Sequence, residues 1–213
     1  MRRKIKSNTR DSKKRNTNPI IVIVCDAKET EPVYFKNFKA RNKPLEVAVV
    51  DKAAGKSFDE LIQETLRAKD KYIAGTESSS SLWLVADVDV NRHTKNNEQV
   101  RQNQIEKLKK DAAFQGFKVV LSNPCFELWF LLHFSYSTGY LSDYNGVLQK
   151  LLKHIPEYKK TTDVFTMLEN EMTKAILNGK KLKKHHEGLG VTLKDVKMNP
   201  YTDVFELVEE LTK

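Results

Sequence analysis

The chain has 213 residues, 39% hydrophobic and 31% charged, with a formal net charge of +9. That length suits one large domain, or a domain with an appendage. No apolar run approaches the ~20 residues of a membrane span, and no apolar N-terminal segment resembles a signal peptide, so the expectation is a cytoplasmic protein without membrane contact.

Residues 1–19 hold eight Lys/Arg and one acid, Asp11, so +7 of the +9 sits there. Residues 1–18 read as a basic arm, disordered when free and suited to phosphate contacts or to solubility. Pro19 to Cys25 (PIIVIVC) is a continuous β-branched run and reads as a first central strand. Asp26 ends it. Thr30 is expected to cap a helix with Glu31 and Pro32 in its first turn, and Tyr34, Phe35 and Phe38 supply its apolar stripe.

Leu45 to Val50 reads as a second strand. Ser57 and Glu60 form a capping box before a helix carrying Leu61, Ile62, Thr65 and Leu66. The serine-rich stretch Thr76 to Ser81 is a loop. Leu82 to Ala86 then runs into Asp87-Val88-Asp89 as a third strand, buried on both faces. Past a polar loop, Val100, Ile105 and Leu108 mark an amphipathic helix ending near Gly116, and Phe117 to Leu121 is a fourth strand.

Asn123-Pro124 reads as a cap followed by proline at the first helical position. The helix Pro124 to Phe134 is apolar almost all round, hence buried, and carries one acid, Glu127. From about Ser142 onward the pattern gives only helices: Tyr144 to Lys153, Val164 to His186 and Thr202 to Thr212.

The repeated β-α order predicts an α/β fold with a parallel four-stranded sheet flanked by helices. The α/β domain spans 19–135, and 136–213 is a helical extension packed on it. Asp87 and Asp89 are two apart in an extended segment and so face the same way. They lie at the carboxyl end of a strand, where open α/β sheets bind ligands. Two close like charges favour a cation between them, and oxygen donors suit Mg²⁺ or Mn²⁺. Asp26, after strand one, and Glu127, a turn after strand four, fall at the same edge. Such a carboxylate cluster suits divalent ions that polarise a phosphodiester. The plainer readings are helix caps, a solvated loop or a salt bridge.

Other residues are weighed the same way. His133 reads as a core histidine. Arg92 and His93 could meet a phosphate or lie in a solvated loop. Lys180, Lys181, Lys183 and Lys184 form a dense basic run with His185 and His186, either serving the helix dipole or contacting nucleic acid. Phe126, Trp129 and Phe130 read as core. Cys25 and Cys125 lack a C-x-x-C partner and read as reduced, buried hydrophobes, so zinc is discounted.

Four stretches resemble the RloB-like proteins, whose core is a TOPRIM fold. Residues 25–35 (CDAKETEPVYF) are similar to that family's opening Cys-Glu-Gly-Glu-Lys-Thr-Glu-Pro-x-Tyr-Phe. Asp87-Val88-Asp89 stands in the D-x-D place. Residues 122–129 (SNPCFELW) with 131–134 (LLHF) are the most specific match, and Asn199-Pro200-Tyr201-Thr202 resembles the closing Asn-Pro-x-Thr. The resemblance implies a Mg²⁺- or Mn²⁺-dependent nuclease. Asp87, Asp89 and Glu127 would be at the metal and Asp26 would act as acid or base. It further implies a role in bacterial or archaeal anti-phage defence by abortive infection, alongside an AAA- or ABC-type ATPase; DNA or tRNA and a second copy of the chain, as a homodimer, are the other partners considered.

The first motif departs from the family, with Asp26 for Glu and Ala27 for Gly. Asp is one methylene shorter, and a misplacement of about 1 Å can cost ~10²-fold in rate. Either Glu29 or Glu31 joins the catalytic group, or the chain is a non-catalytic nucleic-acid-binding or regulatory subunit. A phosphatase reading, from the likeness of Asp87-Val88-Asp89-Val90 to a D-x-D nucleophile motif of the HAD type, needs that motif on the first strand.

Overall fold

In the computed structural model, residues 19–40, 45–49, 57–74, 80–88, 97–192 and 194–213 are described. The basic arm, Asp89, Arg92 and His93 lie outside them. The first strand, β1, spans Ile21–Cys25, followed by helix α1, Thr30–Lys36. Then come β2 (Leu45–Val49), α2 (Phe58–Ala68) and β3 (Ser81–Asp87). Helix α3 (Asn97–Gln115) leads to β4 (Lys118–Asn123) and α4 (Glu127–Phe134). The remainder is α5 (Tyr144–Leu151), α6 (Phe165–Leu168), α7 (Met172–Gly188), β5 (Tyr201–Thr202) and α8 (Val204–Leu211).

The sheet order is β2-β1-β3-β4-β5. The first four strands are parallel, as expected from the β-α alternation. The fifth is antiparallel to β4, with Ser122 opposite Thr202 and Asn123 opposite Tyr201. The expectation of four strands is corrected by this short edge. Two residues are too few to show a period of two, so the sequence hides them. Residues 136–213 are therefore not only helical, and they complete the sheet of the preceding region.

Side chains along each central strand alternate between two cores, as the pleat requires. Ile21, Ile23, Cys25, Trp83, Val85 and Val120 join α1, α4 and the helices from α5 to α8 on one face. Val22, Val24, Leu82, Leu84, Val119 and Leu121 meet α2 and α3 on the other. The strands are thus apolar throughout because both faces are covered. The α2 capping box is present as expected, with Ser57 accepting from the Glu60 amide and Glu60 from the Ser57 amide.

Several local expectations change. Asn123 does not cap α4. It ends β4, and its Nδ2 donates to the carbonyls of Val196 (2.9 Å) and Met198 (2.7 Å). The Asn123-Pro124 bond is cis, and α4 begins only at Glu127. The expected helix over 164–186 is interrupted by a 3-10 turn at Glu169–Glu171. Helices α7 and α8 approach closely at Gly179, where a Cβ would stand 2.7 Å from Phe205 Cδ1.

Candidate active site at the carboxyl edge of the sheet

Strand register brings the carboxylates to one edge. Cys25 pairs with Val85, and the Asp26 amide continues the ladder to the Val85 carbonyl at 3.0 Å. Asp87, the last residue of β3, is opposite Ser122 of β4, and the Val88 amide reaches the Ser122 carbonyl at 2.8 Å. Glu127 heads α4, four residues past β4. Three adjacent parallel strands therefore deliver Asp26, Asp87 and Glu127 to their carboxyl ends.

Aromatic packing sets α1 against α4. Tyr34, Phe35, Phe126, Trp129 and Phe130 are buried and meet mostly edge to face. Each such side chain contributes about 1.5–3 kcal/mol by leaving water. Trp129 Nε1 donates to the Tyr34 hydroxyl at 2.8 Å, so neither polar atom is stranded. These aromatics are core, as the sequence indicates.

That packing carries Thr30 to Glu127. Thr30 is the first residue of α1 rather than its cap. Its Oγ1 contacts Glu127 Oε1 at 3.3 Å and the Lys160 carbonyl at 3.4 Å. The Tyr158 hydroxyl donates to the same Glu127 oxygen at 3.1 Å. Glu127 is 3% exposed. A salt bridge to Arg92 lies outside the described residues, and exposure on the first turn is not what holds Glu127. Hydroxyls from two distant parts of the chain do.

Neighbouring groups register the negative charge. Burial, then the charges of Glu127 and Asp87, push the Cys125 thiol well above its usual range. Burial, then Glu31, raises the Cys25 thiol in the same way. The Tyr158 phenol is raised by burial and then by Glu127, and the Tyr144 phenol by burial, Glu127 and Cys125. Both cysteines are free thiols, buried and suppressed as nucleophiles.

The remaining candidates divide. Glu31 is buried in the first turn of α1, beside Cys25. Glu29 is exposed at the N-cap, its carbonyl accepting from Val33. Lys180 pairs with Glu209 at 2.5 Å and Lys183 with Glu206 at 2.9 Å. Those two lysines therefore tie α7 to α8, which accounts for part of the basic run without nucleic acid. Lys181 lies over the Tyr136 ring at 5.8 Å, and Lys184 is exposed. His133 is buried against the Trp129 carbonyl at 2.9 Å, and burial lowers its pKa to about 4. It is a neutral core histidine.

Four residues of this edge escape the sequence patterns: Tyr144, Tyr158, Lys160 and Arg101. Tyr158 and Lys160 come from irregular segments with no periodic signature, and Tyr144 only marks the start of an expected helix. Arg101, on α3, donates to the carbonyls of Val88 and, at 3.2 Å, Asp87, with its guanidinium 4.0 Å over the Phe58 ring. It fixes the backbone exit of β3.

The family model for RloB-like proteins matches residues 21–211. The chain belongs to the RloB-like protein family. No curated protein and no solved structure matches it. The matched span runs from the start of β1 to the end of α8, so the RloB-like region includes β5 and the helices after residue 135, not the β-α core alone.

Among the described residues, no three His, Cys, Asp or Glu side chains stand close enough together to hold a metal ion. The donor chemistry at the edge is nonetheless that of a hard cation. Asp87 Oδ1 is buried, Glu127 offers a second carboxylate nearby, and all are oxygen donors. Asp89, the second acid of the D-x-D, lies outside the described residues. No described helix is long and apolar enough to cross a membrane. A cleft of about 430 Å³ between α2 and α3 is lined by Asp59, Arg67, Lys107 and Asp111. There Lys107 pairs with Asp59 at 2.6 Å, so it reads as a charged surface groove and not a reaction site.

Proposed function

We propose that this chain is a metal-dependent nuclease of the TOPRIM type, cleaving phosphodiesters at the carboxyl edge of β1, β3 and β4. The observation that carries the reading is that three adjacent parallel strands lead to Asp26, to Asp87 and, four residues past β4 where α4 opens, to Glu127, with Glu127 buried and held by hydroxyls. Asp87, Asp89 and Glu127 would hold Mg²⁺ or Mn²⁺. The ion, when bound, supplies charge neutralisation at the phosphate and an acidified water. Thr30 and Tyr158 hold one oxygen of Glu127 and so fix the carboxylate's orientation. Arg101 anchors the backbone that presents Asp87. Asp26, half-buried beside β3, takes or returns the proton of the attacking water, with Glu31 the buried and Glu29 the exposed of the two supporting acids.

In the cell we propose an effector of anti-phage defence in the cytoplasm, acting as a homodimer with an AAA- or ABC-type ATPase, on DNA or tRNA. That assignment rests on family likeness. The Asp87→Ala variant is expected to lose cleavage of DNA and tRNA while keeping its far-UV circular dichroism. Full cleavage by the folded variant would end the proposal.

A second reading is a non-catalytic nucleic-acid-binding or regulatory subunit. Asp26 favours it, since its carboxylate sits one methylene short of a family glutamate. It predicts Mg²⁺-independent binding with a steep salt dependence from the basic arm. Deleting residues 1–18 should flatten that slope.

A further inference from the structure

We propose that Tyr144 and Lys160 form a seat for single-stranded nucleic acid at the rim of the carboxylate edge. Tyr144 would stack an unpaired base and Lys160 would engage the adjoining phosphate. The location rests on the nuclease reading above, whereas the recognition chemistry does not.

Tyr144 opens α5, whose amide end is capped by Asp143. One side of its ring packs on a small cluster of Cys125, Leu128, Leu141 and Val147. That packing holds the ring rigidly and leaves it only half-buried. Cys125 of that cluster lies two residues before Glu127, which sets the ring near this edge.

Lys160 Nζ lies 4.4 Å from the centroid of the Tyr144 ring. The Lys160 carbonyl accepts from Thr30 Oγ1, the hydroxyl that also reaches Glu127. The backbone of Lys160 is thus part of the site, while its side chain is exposed. Among the described residues no carboxylate forms a salt bridge with it. Its charge rests on an aromatic face, a weak contact at an exposed position. Swinging the ammonium onto a phosphate uncovers that face for a base.

The surroundings match a polyanion with free bases. Lys159 and Thr161, the chain neighbours of Lys160, are exposed as well. A ring fixed at its base and a cation on a flexible stem are the two parts of sequence-tolerant single-strand recognition. A duplex keeps its bases stacked internally and offers that ring nothing. The carboxylates alone would repel nucleic acid, so a neighbouring cation and ring are what draw a strand to them.

The test is fluorescence anisotropy of the full chain in chelator, with a labelled oligonucleotide as single strand and as duplex of the same sequence. Single strand is expected to bind more tightly than duplex. Tyr144→Ala should weaken single-strand binding about 5- to 100-fold, and Tyr144→Phe should retain it. Lys160→Gln should lower the salt slope by about 0.7. The basic arm is common to every variant and cancels. If Tyr144→Ala fails to fold, Tyr144→Leu, which keeps contact with Leu141 and Val147 but loses the stacking face, carries the test. Equal binding by wild type and the folded Tyr144 variant, or a preference for duplex, overturns the seat. Cleavage with Mg²⁺ but no Tyr144 effect removes the seat and leaves the nuclease. Single-strand binding through Tyr144 without cleavage does the reverse.

Discussion

Glu127 and Asp203 are buried acids set beside neighbouring strands of one sheet, and they are held in opposite ways. Asp203 is 0% exposed, directly after β5, with Lys194 Nζ at 2.7 Å from its Oδ2. Lys194 also reaches the Val119 carbonyl, and the Asp203 amide bonds to the Leu121 carbonyl at 3.1 Å. Burial raises its pKa and the lysine opposes that rise. Glu127 has no such cation among the described residues. Two hydroxyls share one of its oxygens, and a thiol and another carboxylate stand near. A buried charge without a cation is costly. Where the charge is neutralised by a fixed lysine the acid serves the fold. Where hydroxyls and a thiol attend it instead, the proposed metal ion would supply the missing charge.

The sharpest break of this contrast is Lys194→Ala, which strands Asp203. Unfolding in denaturant should show a loss of about 3–5 kcal/mol, with the edge chemistry changed only as the folded fraction falls. Glu127→Gln keeps both hydroxyl contacts in shape and removes the charge. Cleavage should fall about 10²-fold or more, about 2.7 kcal/mol in activation free energy, while the free energy of unfolding stays within about 1 kcal/mol of wild type.

A third region sharpens the comparison from the neutral side. His133 has its folded pKa lowered to about 4 from an ordinary 6.5. The unfolded chain therefore binds more protons between those values, so stability is full above pH 6.5 and is lost as pH falls toward 4. The loss attributable to His133 is about 3 kcal/mol, and a His133→Leu variant should lack it when denaturation is followed across that window. The smallest effect is Tyr158→Phe. Removing one of two donors to Glu127 should cost about 1 kcal/mol in stability, with a modest fall in cleavage and no change in the Lys194–Asp203 region.

The parallel sheet was legible because its central strands are apolar on both faces and end on acids. The capping box of Ser57 and Glu60 was equally plain, being a local bond between residues three apart. Glu127 stood out as the one acid of an otherwise apolar helix, and family likeness added the closing Asn199-Pro200 motif. Asn123 looks like a cap in sequence, yet its amide is used across 73 residues to hold the Val196 carbonyl. Tyr158, Lys160 and Arg101 were invisible because their importance lies in long-range contacts from loops and helix flanks. In the lysine run from Lys180 to Lys184 the partners of Lys180 and Lys183 were not legible, because those acids lie on α8, more than twenty residues away.

The most direct test is calorimetric titration of Mn²⁺ or Mg²⁺ into wild type and into the Asp87→Ala/Asp89→Ala double variant. The account predicts a saturable, metal-dependent heat in the wild type that disappears in the folded variant. Absence of binding by the wild type, or the same heat in both proteins, would contradict a metal centre at this edge.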